Sequence, residues 1–106
     1  ANPSEFDQET IRKKWKAETT GYLHEWMVRL EGIAEFTAVN IESSFKGYLD
    51  EKDLGIGAVL LPYRLSVTGV GAGPGMFDVT AFLGKEEVLT RMKENLPKID
   101  AILHEA

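Results

Sequence analysis

Cysteine is absent from the 106 residues, which rules out a disulfide framework and any thiolate metal site. Histidine is nearly absent. His24 and His104 are the only two, they lie far apart in sequence, and no His-Glu-x-x-His or comparable spacing exists, so both read as solvated or core-edge side chains. No serine stands in a Gly-x-Ser-x-Gly turn, and a nucleophilic triad therefore has little to build on. The carboxylate pairs Asp50-Glu51 and Glu86-Glu87 are neighbours in sequence; on a helix they point different ways and make poor acid–base partners. No apolar run approaches the ~18 residues that a membrane span needs, and no basic-then-apolar leader opens the chain. The sequence begins Ala1-Asn2-Pro3-Ser4 without an initiator Met, and the expectation is a piece of a longer protein. Zero cysteine also fits a reducing compartment.

Much of the usual catalytic repertoire is thus missing, but glycine is not. Gly69, Gly71, Gly73 and Gly75, with Pro74, crowd one segment and predict a loop over Thr68–Gly75. The dinucleotide pattern Gly-x-Gly-x-x-Gly fails, because its sixth position is Pro74 counted from Gly69 and Met76 counted from Gly71. A Walker loop fails as well: Val79 stands where its first glycine belongs and Glu86 where a Ser or Thr would hold magnesium. What remains is a plain turn, or backbone N–H groups near Gly75 open to a phosphate or a base edge.

Positive charge is in short supply, with 12 Lys and Arg against 17 Asp and Glu for a net −5. Taken whole, this opposes binding to a polyanion. The distribution is uneven, however. Arg12, Lys13, Lys14 and Lys16 cluster near the start, the stretch from Glu25 to Asp53 is mostly acidic, and between Leu54 and Phe77 Arg64 is the only charged residue. That last stretch can approach a polyanion without repelling it. The early lysines read first as a solvated face, and phosphate contact is the less favoured alternative.

With 43% hydrophobic residues the chain is globular and large enough for one domain with a modest core. Asp7, three residues before Thr10, is a fitting N-cap for a first helix, with Ile11 and Trp15 on one face. Thr19-Thr20-Gly21 can cap a second helix on which Leu23, Trp26, Met27, Leu30, Ile33 and Ala34 recur at helical spacing, facing a core or a partner helix. Thr37 caps a third, with Ile41, Phe45, Tyr48 and Leu49 inward, stopping before Gly55. Ile56–Val67 is apolar almost all round and is assigned to a buried helix with Pro62 near its first turn, a strand being the competing choice. Phe77, Val79, Phe82 and Leu83 mark a short helix ending at Gly84. Lys85–Leu96 makes another, and Pro97 opens a last one carrying Ile99, Ile102 and Leu103. The prediction is an all-α, compact irregular bundle of six to seven short helices, with Trp15 and Trp26 in the core.

The order of Leu61-Pro62-Tyr63-Arg64-Leu65-Ser66-Val67-Thr68-Gly69, then Gly73-Pro74-Gly75-Met76-Phe77, then Phe82-Leu83-Gly84-Lys85-Glu86, then Leu89 and Arg91 resembles the end of bacterial glutamyl-tRNA synthetases. Arg12-Lys13-Lys14-Trp15 and the helices after it are similar to the same anticodon-binding region, so the resemblance runs from Phe6 to about Leu96. It implies that residues 1–106 are a C-terminal anticodon-binding domain of the class I aminoacyl-tRNA synthetase type. Its partners would be tRNA-Glu and the catalytic domain of the same chain, not DNA or a membrane. It implies a cytoplasmic ligase of protein biosynthesis that uses ATP and magnesium elsewhere. The fragment, which lacks the His-x-Gly-His-like and Lys-Met-Ser-Lys-Ser-like motifs, would carry no catalytic residue, metal or cofactor. Carried over onto this sequence, Arg64 matches an arginine that contacts the anticodon, and Gly73, Pro74, Gly75 and Met76 match the loop and helix start lining its bases. Unstacked bases are read by stacking, edge hydrogen bonds and backbone contacts. Arginine supplies the first two, glycine permits close approach, and Met76 would offer a flexible apolar surface. Phe77 reads as core rather than a stacking platform. The loop is richer in glycine than the family pattern, and Gly73 replaces a side chain that can bond a base in some members. The alternative reading is a helical protein–protein interaction module, suggested by the acidic middle and the amphipathic second helix.

Overall fold

A computed structural model of the chain describes residues 2–105. Its elements are α1 (Gln8–Lys14), α2 (Thr19–Glu31), α3 (Ala38–Lys52), a 3₁₀ turn (Ile56–Ala58), α4 (Leu60–Thr68), α5 (Met76–Leu83) and α6 (Lys85–Leu103), with no strand among the described residues. The all-α bundle expected from the sequence is the fold observed. Its radius of gyration, 12.9 Å, is that of a close-packed chain of this length.

The caps read from sequence form as expected where a side chain can reach. Asp7 Oδ1 accepts from the Thr10 N–H at 3.1 Å, and Thr37 Oγ1 accepts from the Asn40 N–H at 3.2 Å. Thr19 behaves differently. It is already the first residue of α2, and its hydroxyl accepts from the Lys16 N–H at 2.9 Å, turning the chain between α1 and α2 instead of capping α2.

α2 stops at Glu31, so Ile33 and Ala34 fall outside the helix that their spacing suggests. Gly32 is the C-cap, and the freed carbonyls are met from a distance. Lys85 Nζ donates to the carbonyls of Glu31 and Ile33, and its ammonium sits 5.6 Å from the centre of the Phe36 ring. A cation at a helix C-terminus meets carbonyls that have no helical donor.

Two further boundaries move. The apolar run from Ile56 splits into the 3₁₀ turn and α4, with Pro62 in the first turn of α4, where its missing N–H costs nothing. Pro97 does not open a separate helix: α6 passes straight through it. Pro97 is exposed while Leu96 and Ile99 beside it are buried, so the unbonded Lys93 carbonyl faces solvent and burial of the inner face holds the helix together.

The core is centred on Trp26. Its ring meets Phe45 edge-on at 4.9 Å and Tyr63 edge-on at 5.8 Å, and Phe77 leans on Phe45 at 5.5 Å. Leu23, Trp26, Met27 and Leu30 of α2 are all buried here. The amphipathic face of α2 is therefore filled by this chain's own core, and it offers no free stripe to a partner helix, which removes that support for the interaction-module reading. Trp15 is also in the core, as expected.

Pro97 gives a direct test of the α6 arrangement. Pro97→Ala should stabilise the chain by about 2 kcal/mol, the helix-interior penalty of ~3 less the ~1 by which proline restricts the unfolded state. Urea unfolding with an unchanged slope measures it; a fall in stability would mean that Pro97 is not interior to the helix.

Candidate functional site

α4 and the loop that follows it build the site. Donors from α4 itself and from α6 fix its carbonyl end. Ser66 Oγ donates to the Tyr63 carbonyl at 2.7 Å, Thr68 Oγ1 to that of Arg64 at 2.9 Å, and the Gly69 N–H to that of Leu65 at 2.9 Å. From α6, Asn95 Nδ2 donates to the Ser66 carbonyl at 2.8 Å and Arg91 Nη1 to the Val67 carbonyl at 3.2 Å. The Ser66 and Val67 carbonyls, which a helix ending at Thr68 leaves without backbone donors, are thereby met by side chains of α6 fixed in the core.

Beyond this end the chain turns through Gly69, whose φ is +81°. A Cβ there would lie 2.6 Å from the Glu5 carbonyl oxygen, an approach no side chain can make. The Asp7 N–H donates to the Gly69 carbonyl at 2.8 Å, binding the segment before α1 to the same corner. From Gly69 the loop runs back along α4. Gly71 lies against Thr10 and Leu61, and Gly73 lies against Arg64.

The loop ends where α5 begins, and this point is anchored from beneath. Thr80 Oγ1 donates to the Met76 carbonyl at 2.8 Å and lies 2.6 Å from the Tyr63 hydroxyl. With the single threonine proton committed to Met76, Tyr63 donates and Thr80 accepts. Burial pushes the Tyr63 hydroxyl well above its ordinary pKa, so it is a permanent donor. α4 and α5 are thus tied together directly under the loop.

Arg64 is brought to the loop and left free to act there. The chain has four arginines. Arg12 pairs with Glu105, Arg29 with Glu51 and Arg91 with Glu87, whereas Arg64 has no carboxylate partner among the described residues. Its guanidinium passes Gly73 closely: a Cβ at that position would be 3.2 Å from Nη1. Gly73, Pro74 and Gly75 are exposed. The arrangement offers a half-buried, unneutralised fork of donors beside an exposed and nearly side-chain-free stretch of backbone. Such a surface can stack on, or donate to, a planar base or hold a phosphate.

Met76 is different. Its side chain is 2% exposed and belongs to the core, so the apolar surface expected of it is not offered to a base. Its position at the first turn of α5 explains this, since that turn must pack on α3 and α6 once Tyr63 and Thr80 fix it. Phe77 is half-buried against Phe45, as a core-edge residue. Sequence reasoning passes over two neighbours of the loop. Asp78 Oδ2 lies 3.2 Å from where a Gly75 Cβ would be, and gives the loop a carboxylate acceptor. Val70, 49% exposed, adds apolar surface at the loop edge. An acidic residue three places after Gly75, in the first turn of a helix, is a usable signal for Asp78; nothing in the sequence marks Val70.

Leu-Gly-Lys-Glu, which helps to carry the resemblance, is structural. Lys85 closes α2, and Gly84 carries a positive φ of +89° between α5 and α6.

Known proteins resemble this chain in sequence and fold. The family described as anticodon binding domain matches residues 1–96. The glutamate–tRNA ligase of Flavobacterium johnsoniae is 40% identical over 92 residues, 87% of this chain and 18% of that protein. That of Chlorobium chlorochromatii is 34% identical over 94 residues, 89% of this chain and 19% of that protein. The crystal structure of a glutamate tRNA ligase from Elizabethkingia meningosepticum, in complex with its amino acid, superposes with a TM-score of 0.88 at 30% identity. That match covers 93% of this chain and 20% of the solved one. The chain spans about a fifth of the length of these relatives.

The base of the site is testable apart from any ligand. Asn95→Ala leaves the buried Ser66 carbonyl without its donor and should cost about 1–3 kcal/mol, read from the urea midpoint. A destabilisation below about 0.5 kcal/mol would show that the α4 end does not depend on α6.

Proposed function

The chain belongs to the anticodon-binding domain family, and from that membership we propose that residues 1–106 are the unit by which a glutamate–tRNA ligase holds the anticodon of tRNA-Glu. The observation that carries the assignment to a site is Arg64, the arginine left without a carboxylate partner among the described residues and laid against the exposed Gly73–Gly75 backbone. Arg64 stacks on a base or donates to its edge. Gly73, Pro74 and Gly75 let the bases approach the main chain, and Met76 contributes its backbone while its side chain anchors the turn. Asp78 accepts from a base N–H.

In this reading the chain performs no chemistry. Activation of glutamate with ATP and magnesium, and its transfer to tRNA, belong to the catalytic domain of the same longer chain, acting in the cytoplasm. The anticodon unit contributes binding energy and register. Among the described residues no helix is long and apolar enough to cross a membrane.

Arg64→Ala in the whole ligase should raise the KM for tRNA by about 5–150-fold, the equivalent of the ~1–3 kcal/mol carried by a good arginine–base contact. Amino-acid activation, measured by pyrophosphate exchange without tRNA, should be unchanged. Gly73→Ala should weaken tRNA severalfold by displacing the guanidinium, and at a φ of +153° it should also cost about 1–3 kcal/mol of stability, read separately from the urea midpoint. Equal affinity for tRNA-Glu and an anticodon-swapped tRNA would sink the proposal, as would a parallel fall in activation.

A further inference from the structure

α1 runs antiparallel beside α4. Asp7 is bonded to Gly69, and Thr10 meets Gly71 beside Leu61. One turn further, Lys13 and Lys14 share a cleft with Gly57 and Ala58, just before α4 begins. That cleft, of about 330 Å³, is also lined by Lys16 and Tyr22. It opens at the far end of the same α1–α4 pair whose near end carries the glycine loop.

Three features separate this cleft from an ordinary solvated face. Lys13, Lys14 and Lys16 are all exposed, and none has a carboxylate partner among the described residues, in a chain with five more negative than positive groups. Lys46 pairs with Glu42 and Lys52 with Glu25, whereas Lys93 and Lys98 of α6, also exposed and without a carboxylate partner among the described residues, line separate clefts and do not gather in one. The opposite wall holds Gly57, beside which a Cβ would meet nothing within 4 Å, so a bulky group can enter. One carboxylate, Glu18, also lines the cleft; three ammonium groups against one carboxylate leave it net positive by two. The α1 dipole accounts for a preference for Lys13 and Lys14 at that helix end, but not for Lys16, which lies beyond α1.

We infer that this lysine cleft holds backbone phosphate of the same RNA whose unpaired bases meet Arg64 and the Gly73–Gly75 loop. The inference rests on the anticodon reading above. Thr10, at the loop, and Lys14, at the cleft, are four residues apart on α1, about 6 Å along its axis at ~1.5 Å per residue. The cleft and the near side of the loop are therefore close enough for one strand to touch both. Tyr22 and the lysines read no sequence there. They fix the strand's position, while the loop supplies discrimination.

The test is a salt titration of binding to a short RNA hairpin carrying the tRNA-Glu anticodon loop. It compares the wild-type chain, the triple variant Lys13→Gln, Lys14→Gln, Lys16→Gln, and Arg64→Ala, with unchanged helical circular dichroism as the folding control. Removing one phosphate-neutralising lysine should lower the slope of log K against log salt by about 0.7–0.9 and weaken binding about tenfold near 50 mM salt. The triple variant is expected to show at least one such step, and to weaken the swapped-anticodon hairpin by the same factor. An unchanged slope in the triple variant, with Arg64→Ala still weakened, overturns the cleft and leaves the anticodon reading standing. No hairpin binding by the wild type at low salt overturns both.

Discussion

The carbonyl end of α4 is the point on which the site depends. A helix of nine residues has few internal bonds to hold it, and its last carbonyls face inward, where water cannot serve them. Arg91 and Asn95 of α6 donate to two of them, those of Val67 and Ser66, while the hydroxyls of Ser66 and Thr68 bond back to the Tyr63 and Arg64 carbonyls one turn earlier. Arg91 is itself 8% exposed and balanced by Glu87, so its charge is buried in a paired state. Through these bonds the packing of α6 sets where α4 ends, hence where Gly69 turns and how close the loop comes to Arg64.

The same economy of partners explains how an acidic domain can face a polyanion. Carboxylates consume basic side chains over much of the surface: Arg12, Arg29, Lys46 and Lys52 are all paired. The apolar stretch around α4 contributes no carboxylate of its own until Asp78, and Arg64 keeps its charge unneutralised there. Net charge governs long-range behaviour, but binding at close range depends on which charges remain unpaired.

Much of the fold is legible along the chain. The caps at Asp7 and Thr37 need only local residues, so the sequence carries them whole. The face of α2 is legible for the same reason, as periodicity is local. Ile33 and Ala34 are misplaced because periodicity does not weigh the glycine at the α2 C-cap, Gly32, and because the freed carbonyls find their donor in Lys85, more than fifty residues away. Pro97 misleads because proline propensity describes an isolated helix, and here burial of Leu96 and Ile99 on the opposite face outweighs one missing bond. In the site, Arg64 and the glycines are visible as residue types in an unusual order. The burial of Met76 is not, because it follows from the Tyr63–Thr80 bond between two helices.

Residue order alone therefore accounts for the helical class, the faces of the main helices, the glycine corner, and the isolation of Arg64 in an uncharged stretch. These depend on neighbours within one or two turns, whose physics is written in spacing and side-chain chemistry. Three outcomes wait for the packed bundle. Arg64 is the arginine left without a carboxylate among the described residues, Met76 faces inward while Asp78 faces the loop, and the early lysines share a cleft with the turn before α4. Each turns on which distant side chains meet, and the pairing of a charge or the burial of a side chain is settled only when the helices have packed.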